Sequence, residues 1–278
     1  MPRADAHLHL FARGFAGPTG ASDAGPDELG AYERLRALHG IERGLVVGYE
    51  GEPRYAGNSE ELLELARTRP WIAPLAYLPA GRPPDPGRLR ELRDRGAAGV
   101  AVYLPDAAAG RAFAAWPASA RAALRDLGAI VSLNATPEAT AEIGAAIADL
   151  AGAWTLFSHL GLPGRHARPP AASAARARLA PLLALAAHDH VAVKLSGLYA
   201  ISDPPHDFPH AAAAPFVAAV LEAFGPSRLV WGSDFSPALG YVSFAQTADP
   251  RHLAGCTPEE VDAVMGGNLL DELARRSC

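Results

Sequence analysis

The chain has 278 residues, 49% of them hydrophobic, with 25 Lys and Arg against 30 Asp and Glu for a formal net charge of -5. That length suits an α/β barrel of roughly 250 residues and buries enough apolar surface to fold without disulfides or a structural metal, so one domain over 1–278 is expected. With no block of like charge, neither a nucleic-acid surface nor a polybasic membrane patch is expected, which leaves a small-molecule substrate as partner and a homo-oligomer as an open option. Cys256 and Cys278 form no CxxC pattern, the first residues lack a signal-peptide pattern, and no apolar run approaches the ~20 residues of a membrane span. The expectation is a soluble, cytoplasmic protein.

In chain order, short β-rich runs begin at 4 (ADAHLHLF), 43 (RGLVVGY), 72 (IAPLAYL), 99 (GVAVYL), 129 (AIVSLNA), 154 (WTLFSHL), 191 (VAVKLSG) and 229 (LVWGSDF). Stretches of helical period separate them after 58, 86, 136 and 257. Thr136 before Pro137 and Glu138, and Thr257 before Pro258, Glu259 and Glu260, are helix-start signals. Eight strands alternating with helices predict a single (β/α)8 TIM-type barrel. An open doubly wound sheet is the alternative, but no GxGxxG follows an early strand. Loops 12–30, 161–174 and 202–215 follow strands one, six and seven, and so belong to the rim where barrel sites form.

Side chains two apart on a strand share a face, so Asp5, His7 and His9 are expected to point into the barrel and Ala6, Leu8 and Leu10 toward the helices. The same exercise puts His159 at the end of strand six, sends Lys194 and Ser196 inward from strand seven, and places Asp234 at the end of strand eight. Strands six, seven, eight and one are neighbours in a closed barrel, so these residues are expected along one arc of its mouth. Each has a structural reading: a core histidine, a turn, a buried hydrogen bond. A lysine in mid-strand loses several kcal/mol of hydration unless it is paired or functional, and four strand ends carrying ionisable groups are what a barrel enzyme needs.

The ordered series DAHLHLF, FSHLG, VAVKLSGLY and VWGSDF, over almost the whole chain, resembles the amidohydrolase-related branch of the amidohydrolase superfamily. KLSG, the stretch from Tyr55 to Asn58 with the helix after it, and GGNLLDEL with Asn268 look closest to the lactonase-like group of sugar-lactone and pyrone-dicarboxylate lactonases. The resemblance implies a hydrolase whose His7, His9, His159 and Asp234 either bind one divalent metal, zinc or manganese, or act without one. Lys194 stands where related metal-dependent members tend to have a further histidine, and Ser132 and Asn134 occupy the strand that carries the bridging lysine of binuclear relatives. A two-metal site is therefore not expected.

Opening a lactone needs an activated water and positive charge or hydrogen-bond donors on the carbonyl oxygen. Asp234 is the expected base, with Lys194, His159, His7 and His9 on the electrophilic side and Asp5 orienting a histidine or making a structural hydrogen bond. Tyr77, Tyr103, Asn134 and Ser196 are candidates for substrate contacts. Arg165, His166, Arg168, His206 and His210, in the loops after strands six and seven, either bind a carboxylate or are solvated. Two rivals remain: a Schiff-base aldolase with Lys194 as nucleophile, and a catalytically silent barrel that only binds a small molecule.

Overall fold

The computed structural model describes residues 2–17 and 20–276. Eight strands, β1 (Arg3–Leu8), β2 (Ile41–Val47), β3 (Ile72–Tyr77), β4 (Gly99–Leu104), β5 (Ile130–Ala135), β6 (Trp154–Phe157), β7 (Val191–Leu195) and β8 (Leu229–Trp231), pair in parallel and in sequence order. The ring closes between β8 and β1, where the Asp234 N–H donates to the His7 carbonyl at 2.7 Å and Leu8 bridges Phe235. This is the (β/α)8 barrel that the alternation of strands and helices predicts.

The core follows the two periodicities. Ala192 of β7, with Leu75, Ala101, Leu156 and Val230 of other strands, fills the barrel, while Val191, Val193 and Leu195 join the layer that the helices cover. Helix α1 (Glu28–His39) follows β1, α2 (Asn58–Thr68) follows β2, and α3 (Pro86–Asp94) follows β3. The predicted cap at Thr136 accepts from the Ala139 N–H, and Thr257 forms a reciprocal capping box with Glu260. Both helical stretches they open are interrupted. The first breaks at Ile143, and a π turn over Ala263–Gly267, packed against β1 and β8, divides the second.

One register expectation is corrected. Strict alternation along β1 would send Asp5 inward and Ala6 outward, but the pairing of β1 with β2 is irregular between Asp5 and Leu8. Ala4 and Ala6 lie in the barrel interior, whereas Asp5 accepts a hydrogen bond from Tyr32 of α1 at 2.9 Å. Beyond the irregularity His7 and His9 face each other inside, and Leu8 and Leu10 join the outer layer. A bulge shifts the parity of every residue after it, which no period-2 reading can anticipate.

Among the described residues no helix is long and apolar enough to cross a membrane. Cys256 is half-buried with a free thiol, and Cys278 lies outside the described residues.

Candidate active site

Five side chains from four strand ends meet at the C-terminal mouth of the barrel. His7 is on β1 and His9 just beyond it, His159 follows β6, Lys194 is on β7, and Asp234 lies just beyond β8; all are at most 6% exposed. The site depends on close backbone approach at two glycines. A Cβ at Gly232 would sit 2.6 Å from Cβ of His7, and one at Gly197, whose φ is +61, would sit 2.2 Å from Nδ1 of His159. The glycines of WGSD and KLSG thus give the imidazoles their room.

Asp234 Oδ1 lies 3.6 Å from Nε2 of His7 and 3.8 Å from Nε2 of His9, and the two Nε2 atoms are 3.2 Å apart. The other oxygen, Oδ2, accepts a hydrogen bond from Tyr199 at 2.7 Å and lies 3.9 Å from Nδ1 of His159. Nδ1 of His9 donates to the Val47 carbonyl at 2.7 Å, which leaves the Nε2 lone pair directed at the cluster. Nδ1 of His159 is engaged by Ser196 Oγ at 3.0 Å, so Ser196 serves the histidine rather than standing free in the mouth.

Lys194 is fully buried. Its Nζ donates to Ser132 Oγ at 2.7 Å and lies 3.2 Å from Nδ1 of His7, beside Ser158 Oγ at 3.3 Å from the same nitrogen. The amine therefore stands behind His7. Burial pushes its pKa down to about 7, against the pull of Asp5 and Asp234. Burial likewise lowers His7, strengthened by the charge of Lys194, and lowers His9 and His159 against the opposing pull of Asp234. Burial raises Asp5 to about 6; its carboxylate accepts from Ser233, Tyr32 and the His7 N–H, so it anchors backbone and orients no imidazole ring.

His7, His9 and Asp234 present one ligand atom each, all within 4.8 Å of one another. Their triangle has a centre about 2.1 Å from each corner, the length of a zinc–nitrogen or zinc–oxygen bond. Two imidazoles and a carboxylate with an open position fit one divalent ion, and the second-layer bond from His9 to Val47 is the usual support of such a ligand. His159 lies outside this trio, although its ring centroid is 4.6 Å from that of His7. Lys194 opposes a cation, because its Nζ faces the back of a ligand ring.

Tyr77 and Tyr103, half-buried at the ends of β3 and β4, have ring centroids 5.9 Å apart, and Asn134 of β5 stands opposite Tyr103 in the strand pairing. Tyr49 joins them at 4.8 Å from Tyr103 and 5.9 Å from Tyr77, and Tyr55 and Phe11 extend this wall back to His9. The proximity of Asp234 adds to the effect of burial in raising the Tyr103 and Tyr199 phenols. Sequence reasoning missed Tyr49 and Tyr199, and gave Tyr55 no contact. Tyr49 and Tyr199 follow a strand end within a few residues and Tyr55 lies further along the loop after β2, positions where rim contacts arise. Arg165, Arg168 and His206 are exposed, while His166 packs on Phe216 at 4.9 Å and His210 is buried, lining one small cavity with Ser196, Tyr199 and Gly232.

A parallel eight-stranded barrel with imidazoles and a carboxylate gathered at the carboxyl ends of its strands is built like a barrel enzyme. The family model described as Amidohydrolase matches residues 4–268, and the chain belongs to that family. A structure of an amidohydrolase from Burkholderia multivorans with bound zinc is 25% identical, covers 99% of both chains and superposes with a TM-score of 0.80. A Pseudomonas putida protein assigned as a 2-pyrone-4,6-dicarboxylic acid hydrolase, 23% identical over 98% of this chain and 97% of its own, has a TM-score of 0.70 and shares the fold. A stretch of 70 residues is 44% identical to an L-fucono-1,5-lactonase of Burkholderia ambifaria; it is 25% of this chain and spans about a quarter, 23%, of that relative. The chain is a member of a hydrolase family with lactonase-like relatives.

Proposed function

We propose that the chain, as one barrel domain, opens the ring of a small sugar-acid or carboxylated lactone by attack of water. The observation that carries this reading is the approach of Asp234 Oδ1 to Nε2 of both His7 and His9. Asp234 takes the proton of the water as the C–O bond forms, and Tyr199, donating to its other oxygen, keeps the carboxylate from turning. His159, fixed through Nδ1 by Ser196, offers Nε2 toward the substrate carbonyl oxygen and then to the leaving ring oxygen. Tyr77, Tyr103 and Asn134 contact substrate hydroxyls. His7, His9 and Asp234 would hold one ion, zinc or manganese; when bound it supplies Lewis-acid activation of the water or the carbonyl. Support comes from the donor set and from the zinc in the Burkholderia multivorans relative.

The wall of tyrosines bears hydroxyls that suit the hydroxyl groups of a sugar lactone, and Arg54, over the Tyr55 ring at 5.2 Å, suits a carboxylate on the substrate. Lys194 is fully buried with its amine on Ser132 and beside His7, which argues against an amine that must meet a carbonyl substrate. A panel of aldonolactones, pyrones and cyclic amides, followed with a pH indicator before and after chelation, tests the proposal. Turnover of an aldonolactone supports it; turnover of amides alone, or of nothing, refutes it.

A further inference from the structure

Glu28 opens α1, is 2% exposed and takes no part in the chemistry above. Its Oε2 accepts from the Phe11 N–H at 2.9 Å; its Oε1 accepts from the Phe15 N–H at 2.7 Å, from Ser22 Oγ at 2.7 Å and from Ser236 Oγ at 2.5 Å. All four donors are neutral, and the start of a twelve-residue helix adds a favourable field. The donors come from two places. Phe11, Phe15 and Ser22 belong to the loop after β1, and Ser236 lies two residues beyond Asp234.

That loop carries one end of the aromatic wall. Phe11 packs on Tyr55 at 4.4 Å and stacks on His9 at 5.6 Å, and the Tyr55 hydroxyl accepts from the Ala16 N–H at 3.1 Å. We propose that Glu28 is a positioning residue for substrate binding: its carboxylate clamps the loop after β1 to the segment that carries Asp234, and so sets the aromatic wall against the candidate base. The clamp rests on the functional reading only in treating that wall as a substrate surface.

The clamp needs a carboxylate specifically. The serine hydroxyls can turn, but the N–H groups of Phe11 and Phe15 cannot, and they address different oxygens. An amide has one oxygen, so Glu28→Gln leaves one of these N–H groups facing another donor. Ser236→Ala removes the link to the Asp234 segment and leaves both N–H bonds in place.

The test is hydrogen exchange by mass spectrometry together with steady-state kinetics on an aldonolactone that the wild type turns over. In Glu28→Gln, peptides covering 11–17 are expected to exchange about tenfold faster or more, as one unmatched N–H implies, while β2 and β4 peptides keep their protection. KM is expected to rise about tenfold with kcat within about threefold, the pattern of lost uniform binding. Ser236→Ala, which serves if Glu28→Gln does not fold, should leave 11–17 protected and raise KM about threefold with kcat unchanged. Unchanged exchange at 11–17 in Glu28→Gln, an unchanged KM in either variant, or a fall confined to kcat overturns the proposal. If the wild type opens no lactone, the functional reading fails and the exchange result alone decides the clamp.

Discussion

Nζ of Lys194 lies 3.2 Å from Nδ1 of His7, whose other nitrogen, Nε2, is the one that faces Asp234. The lysine thus acts on the site through a histidine. Replacing it with an apolar residue of similar length opens no cavity, but it leaves Ser132 Oγ without its partner and removes one side of the buried attraction to Asp5 and Asp234. Lys194→Met is therefore expected to lower the melting temperature by several degrees. It also removes the cation behind a ligand imidazole, so zinc affinity, measured by competition with a chromophoric chelator, should rise about tenfold or more. Borohydride with a carbonyl substrate should add no mass at Lys194 in the wild type; an adduct there would establish covalent amine chemistry instead.

Tyr199 donates to Asp234 Oδ2 at 2.7 Å from the short helix Leu198–Ile201 that follows β7. Tyr199→Phe keeps the ring and deletes one hydrogen bond to a carboxylate, an interaction worth about 1.5–3 kcal/mol. The expected result in pH-indicator kinetics is a fall in kcat of roughly 10- to 100-fold with KM within about threefold, because the phenol holds the base rather than the substrate.

The eight strands were legible because short β-branched runs alternate with helical periods, and the arc of His7, His9, His159, Lys194 and Asp234 followed from strand order alone. Two kinds of feature were not. The bulge in β1, which turns Asp5 toward Tyr32 and Ala6 into the barrel, depends on pairing with β2 and leaves no local mark. Tyr49, Tyr199 and Glu28 lie beyond strand ends or at a helix start, where no period tells which way a side chain points. Their roles arise from loops that meet only in the folded barrel: Glu28 and Ser236 are 208 positions apart.

The buried His210 should contribute a loss of stability on acidification. His210 is 5% exposed with no partner for Nδ1; burial, aided by His252 and opposed by Asp207, lowers its pKa from 6.5 to about 4. Between those values the unfolded chain binds a proton that the folded one refuses, so stability is lost as pH falls from about 6.5 to 4. Removing this group should flatten the slope. In urea unfolding followed by circular dichroism, His210→Asn, which tolerates the left-handed φ of 62, should reduce the dependence on pH by at most about 1.4 kcal/mol per pH unit.

The central claim is that Asp234 serves as base within the cluster formed with His7 and His9, and it is tested most directly by kcat/KM of Asp234→Asn against the wild type on the best aldonolactone, at matched zinc or manganese concentration. The amide oxygen can still accept from Tyr199, so the melting temperature should stay within a few degrees while the proton acceptor is gone. The account predicts a loss of roughly 10²- to 10⁴-fold, the range of general-base catalysis, and more if an ion is released with it. An Asp234→Asn protein that opens the lactone within about threefold of the wild-type kcat/KM would contradict it.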